Sequence, residues 1–262
     1  MAEHAIKDPL HWLALVMISE PELPEFDEVA RFIGDNFENP PTMVVAGSTD
    51  NLFTCTIDEY TAAVTLVPRP VPPSQLEGPC ATAWYWPTAT EALRDHQAHL
   101  LVALVDEGSK SVDKSIKLTQ LVSGLVGTSK VKGVFWGPGR LVHPPQAFLE
   151  QATQLTPQDL PLFLWIDFRV ERESDGTCRL YTTGLEALGK TELEVARFMG
   201  EPQVLLEYAY NLAHYQLCKH KQINEGDTIG LTEEVQAVVH LGKSMFDPEL
   251  EVIQLEFQSS VG

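Results

Sequence analysis

The chain is poor in positive charge. Against 37 aspartates and glutamates stand 18 lysines and arginines, a formal net charge of −19 over 262 residues. A field of that sign repels polyanions, which argues against a nucleic-acid binder and against docking on anionic lipid. Cysteine is sparse and unpatterned. Cys55, Cys80, Cys178 and Cys218 lie far apart with no paired spacing, so a disulfide framework and a cysteine-rich zinc site are not expected, and thiols in a reducing compartment are. Long apolar runs are missing as well. Stretches such as Leu100 to Val105 are far too short to span a bilayer. The first residues, MAEHAIKDPLHWLALVMIS, lack the basic region, apolar core and small-residue cleavage site of a secretory signal. A cytoplasmic protein is the expectation. No P-loop and no G-x-S-x-G elbow occurs, and Gly137-Pro138-Gly139-Arg140 offers a cation without a following phosphate-binding helix.

What is present is an ordinary globular composition, 44% hydrophobic, long enough for one large or two modest domains. The apolar pattern predicts a buried strand over 11–19, then a helix carrying Phe26, Val29, Ala30, Ile33 and Phe37. Three short strands follow over 43–46, 52–57 and 60–67, with links short enough for hairpins. Five prolines, at 68, 70, 72, 73 and 79, lead into Trp84-Tyr85-Trp86-Pro87, and this stretch is expected to be an ordered crossing loop. A short helix over 88–96 precedes an apolar strand over 99–105. An amphipathic helix from Ser111 is expected to end at Gly127, followed by a strand over 131–136. Strand, helix, strand at this spacing suits a crossover, parallel if both strands share a sheet.

A helix over 146–154 leads to a polar segment that separates an N-terminal half, 1–155, from a C-terminal domain, 156–262. Within the latter, strands over 162–172 and 177–182 flank an Asp-Gly turn. A helix over 202–220 carries Val204, Leu205, Tyr208, Leu212 and Tyr215, and strands over 228–231, 235–241 and 252–257 close the chain. The expected class is α+β: mixed, largely antiparallel sheets with helices packed on one side, with an arrangement as two related subdomains left open.

The candidate site lies where the second half turns through Thr182-Thr183-Gly184 and restarts at Glu192-Leu193-Glu194. Residues two apart on a strand share a side, so Glu192 and Glu194 could act together in acid–base work or cation binding, or form a solvated edge that discourages strand pairing. Thr183 and Gly184 complete the expected groove. His214 and Cys218 share a helix face at i, i+4, and His96 and His99 lie three apart, but neither pair brings a third ligand, so no metal and no cofactor is expected. Trp84 and Trp86 are further binding candidates, though aromatics of this kind more often clamp a loop to a core.

Thr-Thr-Gly-Leu (182–185), Gly-x-x-Glu-Leu-Glu (189–194), and a helix followed by Gly-Asp-Thr-Ile-Gly (226–230) resemble the C-terminal domain of a mostly bacterial family, the domain of unknown function numbered 4261. The resemblance is strongest over Leu162 to Phe246, with a looser upstream likeness in the proline and tryptophan-proline stretch. It implies a fold and no reaction. The expectation is a non-enzymatic protein-binding protein, such as an immunity or accessory protein for a basic toxin, whose charge would speed encounter with a basic protein partner. The alternatives are a hydrolase or metal-dependent enzyme using the Gly184–Glu194 loop with His214 or His96, and a structural dimer. The sequence leaves the oligomeric state open.

Overall fold

A computed structural model describes residues 12–105, 111–156, 158–219, 223–230 and 236–257. His11, His220, Leu231 and Val235, expected at the ends of elements, lie outside these. The chain divides into two compact units after Trp165, at 1–165 and 166–262. Both combine helices with mostly antiparallel strands, so the class is α+β.

The first unit holds strand β1 (Leu13–Ile18), helix α1 (Phe26–Asn36), the meander β2 (Met43–Thr49), β3 (Leu52–Ile57) and β4 (Tyr60–Val67), then α2 (Pro73–Thr82) and α3 (Ala89–Leu93). After these come β5 (Ala98–Val105), α4 (Ser111–Thr128), β6 (Val131–Trp136), β7 (Leu141–His143), α5 (Pro145–Ala152) and α6 (Leu162–Trp165). Its sheet runs β2-β3-β4-β5-β1-β6-β7. β1 pairs antiparallel with both β5 and β6, so the β5–α4–β6 crossover joins parallel strands with β1 inserted between them. β1 is buried along most of its length, which requires cover on both faces. Leu15 and Met17 pack with Leu76, Trp86, Ala89 and Leu93 of the α2–α3 region. Ala14, Val16 and Ile18, on the opposite face, are also fully buried. Helices therefore cover both faces here.

Three further expectations change. The proline stretch is not all loop: Pro72 and Pro73 open α2, because proline costs nothing at a first helical turn whose N–H groups have no intrahelical partner. Gly127 does not end α4. It lies inside the helix, where an added Cβ would sit 2.2 Å from the Phe32 ring, so this glycine lets α1 and α4 approach closely. Residues 162–165 form α6 rather than the start of a strand.

The second unit contains β8 (Asp167–Arg172), β9 (Cys178–Thr183), β10 (Glu192–Phe198), α7 (Pro202–Lys219), β11 (Thr228–Gly230), β12 (Gln236–Lys243) and β13 (Glu251–Phe257), in the sheet order β11-β12-β13-β10-β9-β8. β10 and β13 are parallel, and the other pairs are antiparallel. This order differs from that of the first sheet. The β8–β9 turn is the expected Asp-Gly hairpin: the Asp175 carboxylate accepts from Thr177 N at 3.0 Å, and Gly176 takes φ +84°. α7 buries Leu205, Tyr208, Ala209, Leu212, Ala213, Gln216 and Leu217, while Tyr215 points outward instead of joining the stripe. Phe168 meets Tyr210 of α7 at 5.8 Å between ring centroids, which places the helix on the Phe168 face of the sheet.

Candidate functional site

Strand alternation sorts the second sheet into a face toward α7 and a face away from it. Val170, Leu180 and Val195 occupy consecutive paired positions on the α7 side. The intervening positions place Arg169, Tyr181, Glu194, Gln254 and His240 in one row across β8, β9, β10, β13 and β12, on the face away from the helix.

Glu192 and Glu194 are nearly fully buried, at 4% and 3% exposure. They do not converge on a common ligand position. Glu192 turns to the β9–β10 connection, where its carboxylate accepts from Thr182 Oγ1 at 2.7 Å, Gly184 N at 2.8 Å and Glu186 N at 3.0 Å. Thr182 Oγ1 in turn accepts from Leu193 N at 2.8 Å. Gly184, at φ +121°, and Gly189, at φ +73°, let the chain fold around this carboxylate. Burial raises the Glu192 pKa. The Thr182 hydroxyl and the Glu186 and Gly184 amides oppose that rise, and the Glu186 carboxylate adds to it.

Glu194 turns instead to the β12–β13 connection. Ser244 Oγ donates to one carboxylate oxygen, and Met245 N donates to the other at 2.9 Å. The Ser244 hydroxyl oxygen also accepts from Phe246 N at 3.0 Å and Asp247 N at 3.1 Å. Ser244 N to Leu250 O, Leu250 N to Asp247 O and Glu249 N to the Asp247 carboxylate, each 3.0 Å, close the turn. Lys243 Nζ reaches Glu249 O at 3.2 Å, and Gln254 holds Lys243 O at 2.8 Å. A loop secured this way gives up little conformational freedom on meeting a partner.

That loop presents two large apolar side chains to solvent. Met245 is 47% and Phe246 49% exposed. The Phe246 ring lies 4.6 Å from that of Tyr181, with the Arg179 guanidinium 5.5 Å from its centroid. Arg169 sits over Tyr181 at 5.7 Å. Arg179 is paired with Glu171 at 2.5 Å and Glu173 at 3.0 Å, and Arg169 with Asp167 at 2.7 Å. Asp247, Glu249, Glu251 and Glu256 are exposed around the same loop and its following strand. An aromatic and a methionine ringed by charge have the composition of an interface centre. The sequence signal for these residues is Met-Phe set between Lys-Ser and Asp-Pro, a large apolar pair inside a turn.

The remaining candidates are dispersed. Thr183 is exposed at the end of β9. His214 lies on α7, its Nε2 3.6 Å from Cys218 Sγ. Trp84 and Trp86 belong to the first unit and part ways there. Trp84 is 53% exposed, edge-on to Tyr85, whereas Trp86 is buried in the α2–α3 core. His96 uses both ring nitrogens on the backbone, 2.7 Å from Val71 N and 2.5 Å from Leu93 O, leaving neither for a metal. Among the described residues no group of three or more His, Cys, Asp and Glu side chains is arranged to hold a metal, and no helix is long and apolar enough to cross a membrane.

Residues 181–256 match a known family model. That model is the domain of unknown function DUF4261. The DUF4261 match begins at Tyr181 and takes in Glu192, Glu194, the whole Ser244–Leu250 loop and all but the last residue of β13. It thus spans both carboxylate-held connections and the row from Tyr181 to His240, while Arg169 and Arg179 stand just before it. No curated protein and no solved structure matches the chain.

Proposed function

We propose that the chain is a non-enzymatic protein-binding protein, cytoplasmic, whose second unit receives a basic protein partner on the sheet face away from α7, around Met245 and Phe246. The observation that carries this reading is the Glu194-held loop, which fixes two exposed apolar side chains among carboxylates. Exposed aromatic and methionine side chains at the centre of a charged rim supply contact area. The −19 net charge supplies long-range attraction for a basic surface. An immunity or accessory role toward a basic toxin is one concrete form of this activity.

A catalytic use of the Gly184–Glu194 loop has less support. The oxygens of Glu192 are engaged by three donors from its own connection, and those of Glu194 by Ser244 and Met245. Both carboxylates are accounted for as structural acceptors.

The test compares the wild-type chain with Met245→Ser/Phe246→Ser in affinity capture from the native host, at low and high salt. A stoichiometric basic protein captured by the wild type at low salt, lost at high salt and lost with the double variant, is the expected result. Equal capture by both proteins, or no partner at all, would contradict the proposal.

A further inference from the structure

We propose that the first unit carries a self-association face, on which a second copy of this chain docks to form a weak homodimer. The face belongs to β2–β5 and is independent of the binding reading above. The Phe26–Phe53 contact, 5.8 Å between ring centroids, sets α1 on the Phe53 side of these strands. The other side presents three rows of side chains. One runs Val105–Thr61–Thr56–Val44 across β5, β4, β3 and β2, and the next Ala103–Ala63–Thr54–Gly47. The last runs from Leu101 to Thr49, and the α2–α3 cluster reaches the face at Leu101, its border. None of these positions is buried, and Val105 and Val44 are 61% and 57% exposed.

No charged side chain stands on these rows, in a chain of net charge −19. Such a surface gives a basic partner nothing to pair with, yet it meets an identical surface without placing like charges together. Its threonines make it self-complementary, since each hydroxyl both donates and accepts. The same patch on both subunits is what a twofold dimer requires. The middle row holds the smallest side chains, leaving a shallow trough that receives a row of the partner when two sheets pack about 10 Å apart.

Area sets the strength. Four strands about 4.8 Å apart and three rows about 6.8 Å apart give about 400 Å² of projected sheet per copy, or about 800 Å² for the pair. That is a small interface, so the dimer is reversible and forms at micromolar concentration or above. Asp50 and Glu59 are exposed at the turns bordering the face, and with the net charge they repel the second copy. Screening by salt therefore strengthens the dimer, the opposite of its effect on a basic partner.

Sedimentation velocity of the full-length chain, over a concentration series spanning the micromolar range at low and high salt, tests this. The expected result is a monomer–dimer equilibrium that tightens with salt. Thr61→Lys and Thr56→Lys, made separately, each weaken it by at least about tenfold, because each brings a charge against its own copy across the twofold. Both positions are exposed, and circular dichroism checks that each variant keeps its fold. Met245→Ser/Phe246→Ser, in the second unit, leaves the equilibrium unchanged. A monomer throughout the series, as when a different protein covers this face, would overturn the proposal. So would a dimer indifferent to both lysine variants, or one lost with Met245→Ser/Phe246→Ser instead.

Discussion

At Glu192 two opposing effects act on one carboxyl group. Burial favours the protonated form, and three hydrogen-bond donors favour the charged one; burial prevails, lifting the pKa above its ordinary 4.5. The folded protein then holds a proton that the unfolded chain releases. The associated stability is fully present below pH 4.5 and is lost as pH rises through the higher folded-state value. The stability of the wild type relative to Glu192→Gln, which has no such titration, should therefore fall as pH rises from 4.5. Denaturant unfolding at a series of pH values checks this, and a rising difference would contradict it. At Ser244, removal of the hydroxyl leaves the buried Glu194 carboxylate one donor short and frees two loop amides. Ser244→Ala should cost about 1–3 kcal/mol. The loss should appear in hydrogen exchange as faster exchange at Phe246 and Asp247 before the rest of the sheet. That Glu192 and Glu194 stand two apart on one strand was legible from the sequence. Their use was not: the Ser244 that occupies Glu194 lies 50 residues away, and no local pattern announces a contact of that range.

Among the elements, legibility followed periodicity. Helices α1, α4 and α7 and most strands were evident because their apolar spacing is itself the cause of their burial. α2 was obscured by its prolines, and Gly127 was misleading because a glycine that admits a neighbouring helix looks the same in sequence as one that ends its own. Space around glycines sets two opposite expectations. Gly34, exposed in α1, has nothing near its missing Cβ, so Gly34→Ala should stabilise by about 0.5–1 kcal/mol through helix propensity. At Gly137 a Cβ would sit 2.2 Å from the Leu13 carbonyl oxygen, a backbone atom that cannot swing away. Gly137→Ala should cost at least the 1–3 kcal/mol typical of overpacking, read as a lowered thermal or denaturant midpoint. β7 adds a pH effect. His143 is buried against the Tyr85 and Phe148 rings, with Nε2 donating to Leu164 O at 3.2 Å. Burial pulls its pKa down from 6.5 to about 4, against the smaller opposing effect of that hydrogen bond. The folded protein thus resists a proton that the unfolded chain accepts, and stability should decline as pH falls from 6.5 toward 4. In His143→Gln that component of the slope should vanish.

For the molecule as a whole, charge and shape act over different ranges. On the proposed reading, the negative field would bring a basic surface near, and the Met245–Phe246 loop would supply the short-range contact that discriminates one such surface from another. Composition alone pointed to the first of these. The second depends on Tyr181, Arg179 and Phe246 meeting across a sheet, which becomes visible only once β9, β12 and β13 are in register. The central claim, that this loop is the binding surface, is tested most directly by capture from the native host with wild type and Met245→Ser/Phe246→Ser side by side. The expected result is one stoichiometric basic protein, retained at low salt by the wild type and absent from the variant. Identical capture by the two, or none by either, would contradict it.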